Sequence, residues 1–215
     1  MKTNIKTYYK NRASVYEESM YFKNESNRLK EVKKIDVLLG KLFRQKEIIE
    51  VACGTGYWTV VLSKVAKNIQ ATDAVKEVIN IAKNKKYSCV VDFKISDASS
   101  LSYQDKTFDG GVACFWFSHM LRKDISKFLR EFNRVLKSGS MVFLCDNVPD
   151  TGDGILIKKG KDTFKIRELN NKKYEVIKNY FSTKILNEFF GPYAKNSKVN
   201  IVIGKWAWWI WYEKK

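Results

Sequence analysis

Ile48-Ile49-Glu50-Val51-Ala52-Cys53-Gly54-Thr55-Gly56-Tyr57-Trp58-Thr59 is the stretch on which the fold turns. An apolar run, Ile48 to Ala52, predicts a buried strand. The glycines predict a tight turn, and an apolar segment from Tyr57 to about Lys67 predicts a helix. Without a Cβ, Gly54 and Gly56 let the backbone turn sharply and let a ligand lie directly against it. The following helix start offers N–H groups with a partial positive charge, suited to a phosphate or a carboxylate. The dinucleotide fingerprint requires a third glycine three places after Gly56, where Thr59 stands, and the Gly-Lys-Ser/Thr phosphate loop is absent. What remains is acid-x-Ala-x-Gly-x-Gly, with Glu50 on the strand itself. A carboxylate there repels a pyrophosphate and tolerates a ligand that carries a cation.

Further downstream, other acids close predicted strands in the same way. Asn68 to Thr72 forms a second strand that ends in Asp73, 17 residues after Gly56, a fitting distance for one βαβ crossover. Asp73 has two readings: a hydrogen-bond acceptor for a ribose diol, or an N-cap for the helix from Ala74 to Lys83. Cys89 to Ile95 is a third strand, followed by Ser96-Asp97-Ala98, where Asp97 also suits an Asx turn. Phe108 to Trp116 is a fourth, and its paired Gly110 and Gly111 leave room for a close neighbour. Phe117-Ser118-His119-Met120-Leu121-Arg122 then lies where open α/β sheets place their ligand crevice, so His119 and Arg122 are candidates to contact a substrate.

This series resembles the class I methyltransferases that use S-adenosylmethionine. Their first motif is similar to residues 50–56, although the family usually has glycine where Ala52 stands. Phe108-Asp109 with its apolar run is similar to their fourth motif. Arg134-Val135-Leu136-Lys137-Ser138-Gly139 resembles the segment before their fifth strand. Tyr8-Tyr9-Lys10-Asn11-Arg12-Ala13-Ser14-Val15-Tyr16 looks like the opening of many small-molecule members. The resemblance implies an α/β fold: one Rossmann-like, doubly wound seven-stranded sheet, mostly parallel with an antiparallel last strand, and helices on both faces. It implies S-adenosylmethionine as cofactor. Glu50 would stand near the methionine ammonium, with Ala52, Cys53, Gly54 and Gly56 as the backbone against it. Asp73 would bind the ribose and Asp97 with Ala98 the adenine, while Phe115 or Trp116 would pack on the adenine or wall the methyl site. Tyr9, Arg12 and Tyr16 share one helix face, as anchors of a surface helix or as a lid in which Arg12 pairs with the methionine carboxylate. His119 would orient an acceptor or take its proton.

The expected layout is a helical lid over residues 1–45, a cofactor-binding core over 46–145, and a substrate-side hairpin with the last strands over 146–215. In the first part, Leu29, Val32, Ile35, Leu38 and Leu39 read as a core stripe on a second helix. The apolar helix from Ile125 to Leu136 is expected to end in a left-handed turn at Gly139, with Lys137 at its negative end. A strand at Met141 to Cys145 and a loop from Asp146 to Gly160 follow. Asn170-Asn171-Lys172 marks a hairpin, Ser182 caps a short helix, and the tryptophan run Lys205 to Tyr212 reads as a strand buried on both faces.

Composition sets the remaining bounds. With 215 residues and 45% hydrophobic content, the chain holds one domain with a full core. No signal peptide or membrane span is legible, so a cytoplasmic protein is expected. Cys53, Cys89, Cys114 and Cys145 form no Cys-x-x-Cys pair and read as buried free thiols. With a single histidine, they argue against a protein-built metal site. The net charge of +17 suits a nucleic-acid partner, but the lysines are scattered and Asn and Ile are abundant, which fits an AT-rich genome. A small-molecule acceptor is the favoured reading. An RNA methyltransferase and a non-catalytic partner subunit with this fold are the alternatives.

Overall fold

Two sheets are present in the computed structural model, which describes residues 5–17, 26–149 and 156–215. The larger has seven strands in the order β3-β2-β1-β4-β5-β10-β9. Its strands are β1 (Glu47–Val51), β2 (Asn68–Asp73), β3 (Val90–Ile95), β4 (Phe108–Cys114), β5 (Leu136–Asn147), β9 (Asn200–Ile203) and β10 (Ala207–Glu213). Strands β1 to β5 pair in parallel, and β10 runs antiparallel to both β5 and β9. Strand order therefore reverses between β1 and β4, and a crevice opens at their carboxyl ends. The helices are α1 (Ile5–Arg12), α2 (Ser26–Leu42), α3 (Tyr57–Ser63), α4 (Lys76–Lys83), α5 (Arg122–Arg134) and α6 (Thr183–Phe190). The smaller sheet comprises β6 (Leu156–Lys159), β7 (Asp162–Leu169) and β8 (Lys172–Ile177).

The central strands are buried on both faces, which is why they read as continuous apolar runs. On one face Phe128 and Phe132 of α5 pack with Trp208, Ile210 and Tyr212. On the other, Ile35, Leu39 and Phe43 pack with Ile48, Phe143 and Trp209. The tryptophan run thus feeds both halves of the core by simple alternation along β10. Gly110 and Gly111 fill the expected role: a Cβ on the first would lie 2.7 Å from Phe43, and on the second 2.7 Å from Phe132. They let α2 and α5 press against opposite faces of β4.

Several boundaries differ from expectation. α3 stops at Ser63 rather than Lys67. α5 ends with Val135 as its C-cap, so Gly139 does not cap it. Gly139 has φ +79° but lies inside β5, where its N–H donates to Lys214 O at 2.8 Å. Lys137 pairs with Asp109 at 2.7 Å instead of with the helix end. The register shift between Phe108 and Gly110 absorbs the irregularity. Leu29 is 42% exposed, so the core stripe of α2 starts one turn later and runs on to Phe43. Part of the expected 146–160 loop is strand: Asp146 belongs to β5, and β6 pairs with β7. Residues 150–155 of that loop lie outside the described residues. Cys53, Cys114 and Cys145 are buried and free, whereas Cys89 is half-buried.

Candidate functional site

A cavity of about 450 Å³ lies at the carboxyl ends of β1 to β4. Its floor is the turn after β1. Ala52 (φ +55°) and Gly54 (φ +57°) both take left-handed backbone there, which turns the chain out of the sheet. Nothing lies within 4 Å of where a Gly54 Cβ would project, so that glycine leaves its side of the cleft open. Gly56 does a different job from the one expected of it. It starts α3 with φ +85°, and a Cβ would sit 2.7 Å from Tyr87 Oη and 3.0 Å from Ala82 Cβ. It is required for packing against α4, and it does not line the cavity.

Three acids from successive strands border this space: Glu50, Asp73 and Asp97. Asp73 is fixed by two backbone donors, Gly54 N–H to Oδ2 at 3.0 Å and Val75 N–H to Oδ1 at 2.9 Å. It is not the N-cap of α4, a position held by Val75. Burial pushes its pKa up, against the pull of those N–H groups. Glu50 is 1% exposed and accepts from Thr59 Oγ1 at 2.6 Å. Burial, with the neighbouring Asp73 adding to it, raises Glu50 to about 8. Thr59, which spoils the dinucleotide fingerprint, thus has a structural role: its hydroxyl holds the Glu50 carboxyl in place. Asp97 forms the expected Asx turn, accepting from Ser99 N–H and Oγ–H at 2.8 Å each, and these bonds lower its pKa. Ala98 lies beside it on the cavity wall.

Phe115 (φ +54°) turns the chain out of β4. Its ring stacks on Trp58 with centroids 6.1 Å apart, and Trp116 lines the cleft next to it. α1 overhangs the opening with Tyr9 on the cleft; it ends at Arg12, so Tyr16, which also lines the cleft, lies past a 3-10 turn over Ala13–Val15, and Tyr9, Arg12 and Tyr16 do not share one continuous helix face as expected. It is tied down by Lys10–Glu77 at 2.9 Å and by Asn11 Nδ2–H donating to Tyr174 Oη at 3.0 Å. Glu17 accepts from Thr55 Oγ1 at 2.5 Å and also pairs with Lys85, which joins this segment to the glycine turn.

His119 lines the cleft with both ring nitrogens engaged. Nδ1 lies 2.7 Å from Ile177 O, which can only accept, so Nδ1 carries the proton. Nε2 then accepts from the Tyr9 hydroxyl at 2.9 Å. Burial and the nearby Lys178 cation lower the imidazole to about 3. Arg12 is placed apart from the main cleft: its guanidinium lies 5.0 Å from the Tyr16 ring centroid and borders a smaller adjoining cavity. Arg122 also falls outside the cleft. Its N–H donates to Asp162 Oδ1 at 2.8 Å and its Nη2 to Tyr180 O at 3.2 Å, so it ties α5 to the smaller sheet.

The sequence reading missed the buried pair Asp146–Lys178, 3.0 Å apart behind His119. Lys178 Nζ also donates to Ser118 Oγ at 2.8 Å, and Ser118 N–H donates to Asp146 Oδ2 at 2.7 Å. Burial works against the Asp146 carboxylate, but Lys178 and these donors hold its pKa below the usual value. The signal was present, since Asp146 closes an apolar strand just as Asp73 does. Among the described residues, no group of three or more His, Cys, Asp or Glu side chains is arranged to hold a metal. No helix among them is long and apolar enough to cross a membrane.

Residues 49–144 match the family described as "Methyltransferase domain", which spans the turn, all three acids and β4. A demethylmenaquinone methyltransferase of Staphylococcus aureus (strain MRSA252) is 34% identical over 98 residues, covering 44% of this chain and 40% of that protein. The match thus spans about two fifths of the length of this curated relative. The DhpI–SAH complex superposes with a TM-score of 0.75 at 19% identity, covering 97% of this chain and 94% of that one. A SAM-dependent methyltransferase of Methanosarcina mazei does so with a TM-score of 0.65 at 22% identity, covering 82% and 96%. A Pyrococcus horikoshii OT3 protein gives 0.71 at 16% identity, covering 89% and 93%. These structural likenesses establish the shared fold.

Proposed function

We propose that this chain, built around a class I S-adenosylmethionine-dependent methyltransferase domain, transfers a methyl group from that cofactor to a small-molecule N or O nucleophile. The observation that carries this reading is the convergence of Glu50, Asp73 and Asp97 on one cavity beneath α1. The cavity suits the group: acids from three strands, an open face at Gly54 and an aromatic wall at Phe115 form one continuous lining. When bound, the cofactor supplies a methyl group on a sulfonium, whose departure discharges a cation and needs no strong acid catalyst. Asp73 would hold the ribose hydroxyls, Asp97 and the backbone at Ala98 the adenine, and Glu50 the neighbourhood of the ammonium. Phe115 and Trp116 would exclude water from the transfer site.

His119 serves position rather than proton removal. A general base works best with a pKa near the operating pH, and a value of about 3 is far below it. Its acceptor nitrogen is held by Tyr9, so it fixes that hydroxyl at the cleft wall, where it can orient an acceptor. Arg12, beside the smaller cavity, is better placed to meet an acceptor than a methionine carboxylate. The overhang of α1 and the approach of Ile177 from the smaller sheet favour a small acceptor over a structured RNA. So does the relative that acts, by its name, on demethylmenaquinone.

Titration calorimetry with S-adenosylhomocysteine tests the reading. Micromolar binding to the wild type, weakened about tenfold to a hundredfold in Asp73→Ala, is expected from losing charged hydrogen bonds of roughly 1.5–3 kcal/mol each. Equal affinity in the two proteins would remove Asp73 from the site.

A further inference from the structure

One end of the larger sheet is open: among the described residues β3 pairs with β2 alone. Val90 is 68% and Ile95 54% exposed, and Asp92 and Lys94 are exposed between them. We propose that this edge is an interface whose partner is a second copy of the chain, paired antiparallel, β3 to β3, about a twofold axis.

Backbone groups along a strand point alternately to its two neighbours. Ser96 N–H donates to Asp73 O at 2.9 Å, and Asp92 O accepts from Gln70 Nε2–H at 2.9 Å, so the even-numbered residues of β3 turn their backbone toward β2. Val91, Phe93 and Ile95 therefore turn their N–H and C=O groups outward. A second β3 must meet them with its own odd-numbered residues. Two antiparallel registers do so while keeping five residues of β3 paired. One places the twofold axis at Asp92 and sets that carboxylate against the partner's Asp92. The other places the axis at Phe93. It sets Asp92 against the partner's Lys94, Lys94 against the partner's Asp92, and Val91 against the partner's Ile95. Opposite charges facing one another across strands attract and like charges repel, so the register centred on Phe93 is selected.

The usual devices that keep an edge single are weak here. Natural edges carry proline, bulges or unmatched lysines. β3 has no proline, and its register with β2 is unbroken from Val90 to Ile95. A lone lysine would repel a second copy. With Asp92 two places away on the same face, Lys94 makes the edge complementary to itself. Lys94 Nζ lies 5.0 Å from the Tyr103 ring centroid, so its stem leans along that face. Pairing would join two seven-stranded sheets into one continuous sheet, within the range that large α/β proteins reach. β3 runs directly into Ser96, Asp97 and Ala98 on the cleft wall, so the interface braces the strand end that carries Asp97.

The test is sedimentation equilibrium of the full chain over a range of concentrations. It compares the wild type with Asp92→Lys, with Lys94→Asp, and with the double variant in which the two charges are exchanged. A wild-type dimer is the expected result. Each single variant sets like charges against one another at two symmetric places and should raise the dimer dissociation constant at least about fivefold. The double variant restores opposite charges and should return to within about threefold of the wild type. Both side chains are exposed, and thermal melting followed by circular dichroism reports that each variant is folded. A wild type that stays monomeric at every concentration overturns the interface and leaves Asp92 and Lys94 as charges that blunt an edge. A dimer indifferent to the single variants, or one that the double variant fails to restore, overturns it by placing the contact elsewhere.

Discussion

Glu50 gives a pH signature of its own. Its pKa of about 8 in the fold, against an ordinary 4.5, means the folded state holds a proton that the unfolded chain releases. That contribution to stability is complete below about pH 4.5, the unfolded value, and is lost as pH rises through about 8. The wild-type melting temperature should carry a decline across this window that Glu50→Gln lacks, and equal pH profiles would contradict the assignment. A cation bound near Glu50 draws off the proton, so affinity for S-adenosylhomocysteine should rise from about pH 6 to about pH 8 in the wild type and stay level in Glu50→Gln. His119→Ala should leave cofactor affinity unchanged and lower turnover. Tyr9→Phe should reproduce the loss, since in the present account the imidazole acts through that hydroxyl. Full activity of both variants would dismiss the pair. The acids were legible in the sequence because Glu50 interrupts an apolar run just before a glycine turn, while Asp73 and Asp97 follow apolar runs. The state of His119 was not, because its partners, Tyr9 and Ile177, are 110 and 58 residues away.

Elements were legible where local chemistry decides them. Asn170 and Asn171 both take positive φ between β7 and β8, the two-residue turn that asparagine tolerates, and the sequence announces it. Ser182 caps α6 as expected, accepting from Ile185 N–H at 3.4 Å. Gly139 misled because a left-handed glycine ends a helix and bends a strand equally well, and its contact with Lys214 is long-range. A further contact invisible to local reading joins α2 to the start of β10. Glu31, 7% exposed, accepts N–H groups of Lys205, Trp206 and Ala207 at 2.7, 3.1 and 2.9 Å. Glu31→Ala leaves these three donors without that acceptor and should cost roughly 2–5 kcal/mol of unfolding free energy by denaturant titration. A loss under about 0.5 kcal/mol would mean that water replaces the carboxylate. Gly56→Ala should also destabilise, through φ +85° and the Tyr87 and Ala82 contacts, and by more than Gly54→Ala, which bears the strain of φ +57° but meets no neighbouring atom. The two glycines of one motif thus separate into one that serves the fold and one that leaves the cleft open.

At the level of the whole molecule, topology brings the site together. Reversal of strand order between β1 and β4 opens the cleft, α1 overhangs it, and the smaller sheet supplies a basic wall. The doubly wound sheet with its antiparallel β10 was legible because motif order and alternating burial reflect the same geometry. The placement of β6–β8 was not, since nothing local says which face a hairpin covers. The charge of +17 keeps an RNA acceptor as the second reading, and steep weakening of RNA binding between low and moderate salt would favour it. The central claim is that acids on successive parallel strands surround one nucleoside, and a crystal structure of the S-adenosylhomocysteine complex tests it most directly. The ribose hydroxyls should lie within hydrogen-bond distance of Asp73 and the adenine beside Asp97 and Phe115. A ligand bound anywhere else, or those carboxylates turned away from it, would contradict the account.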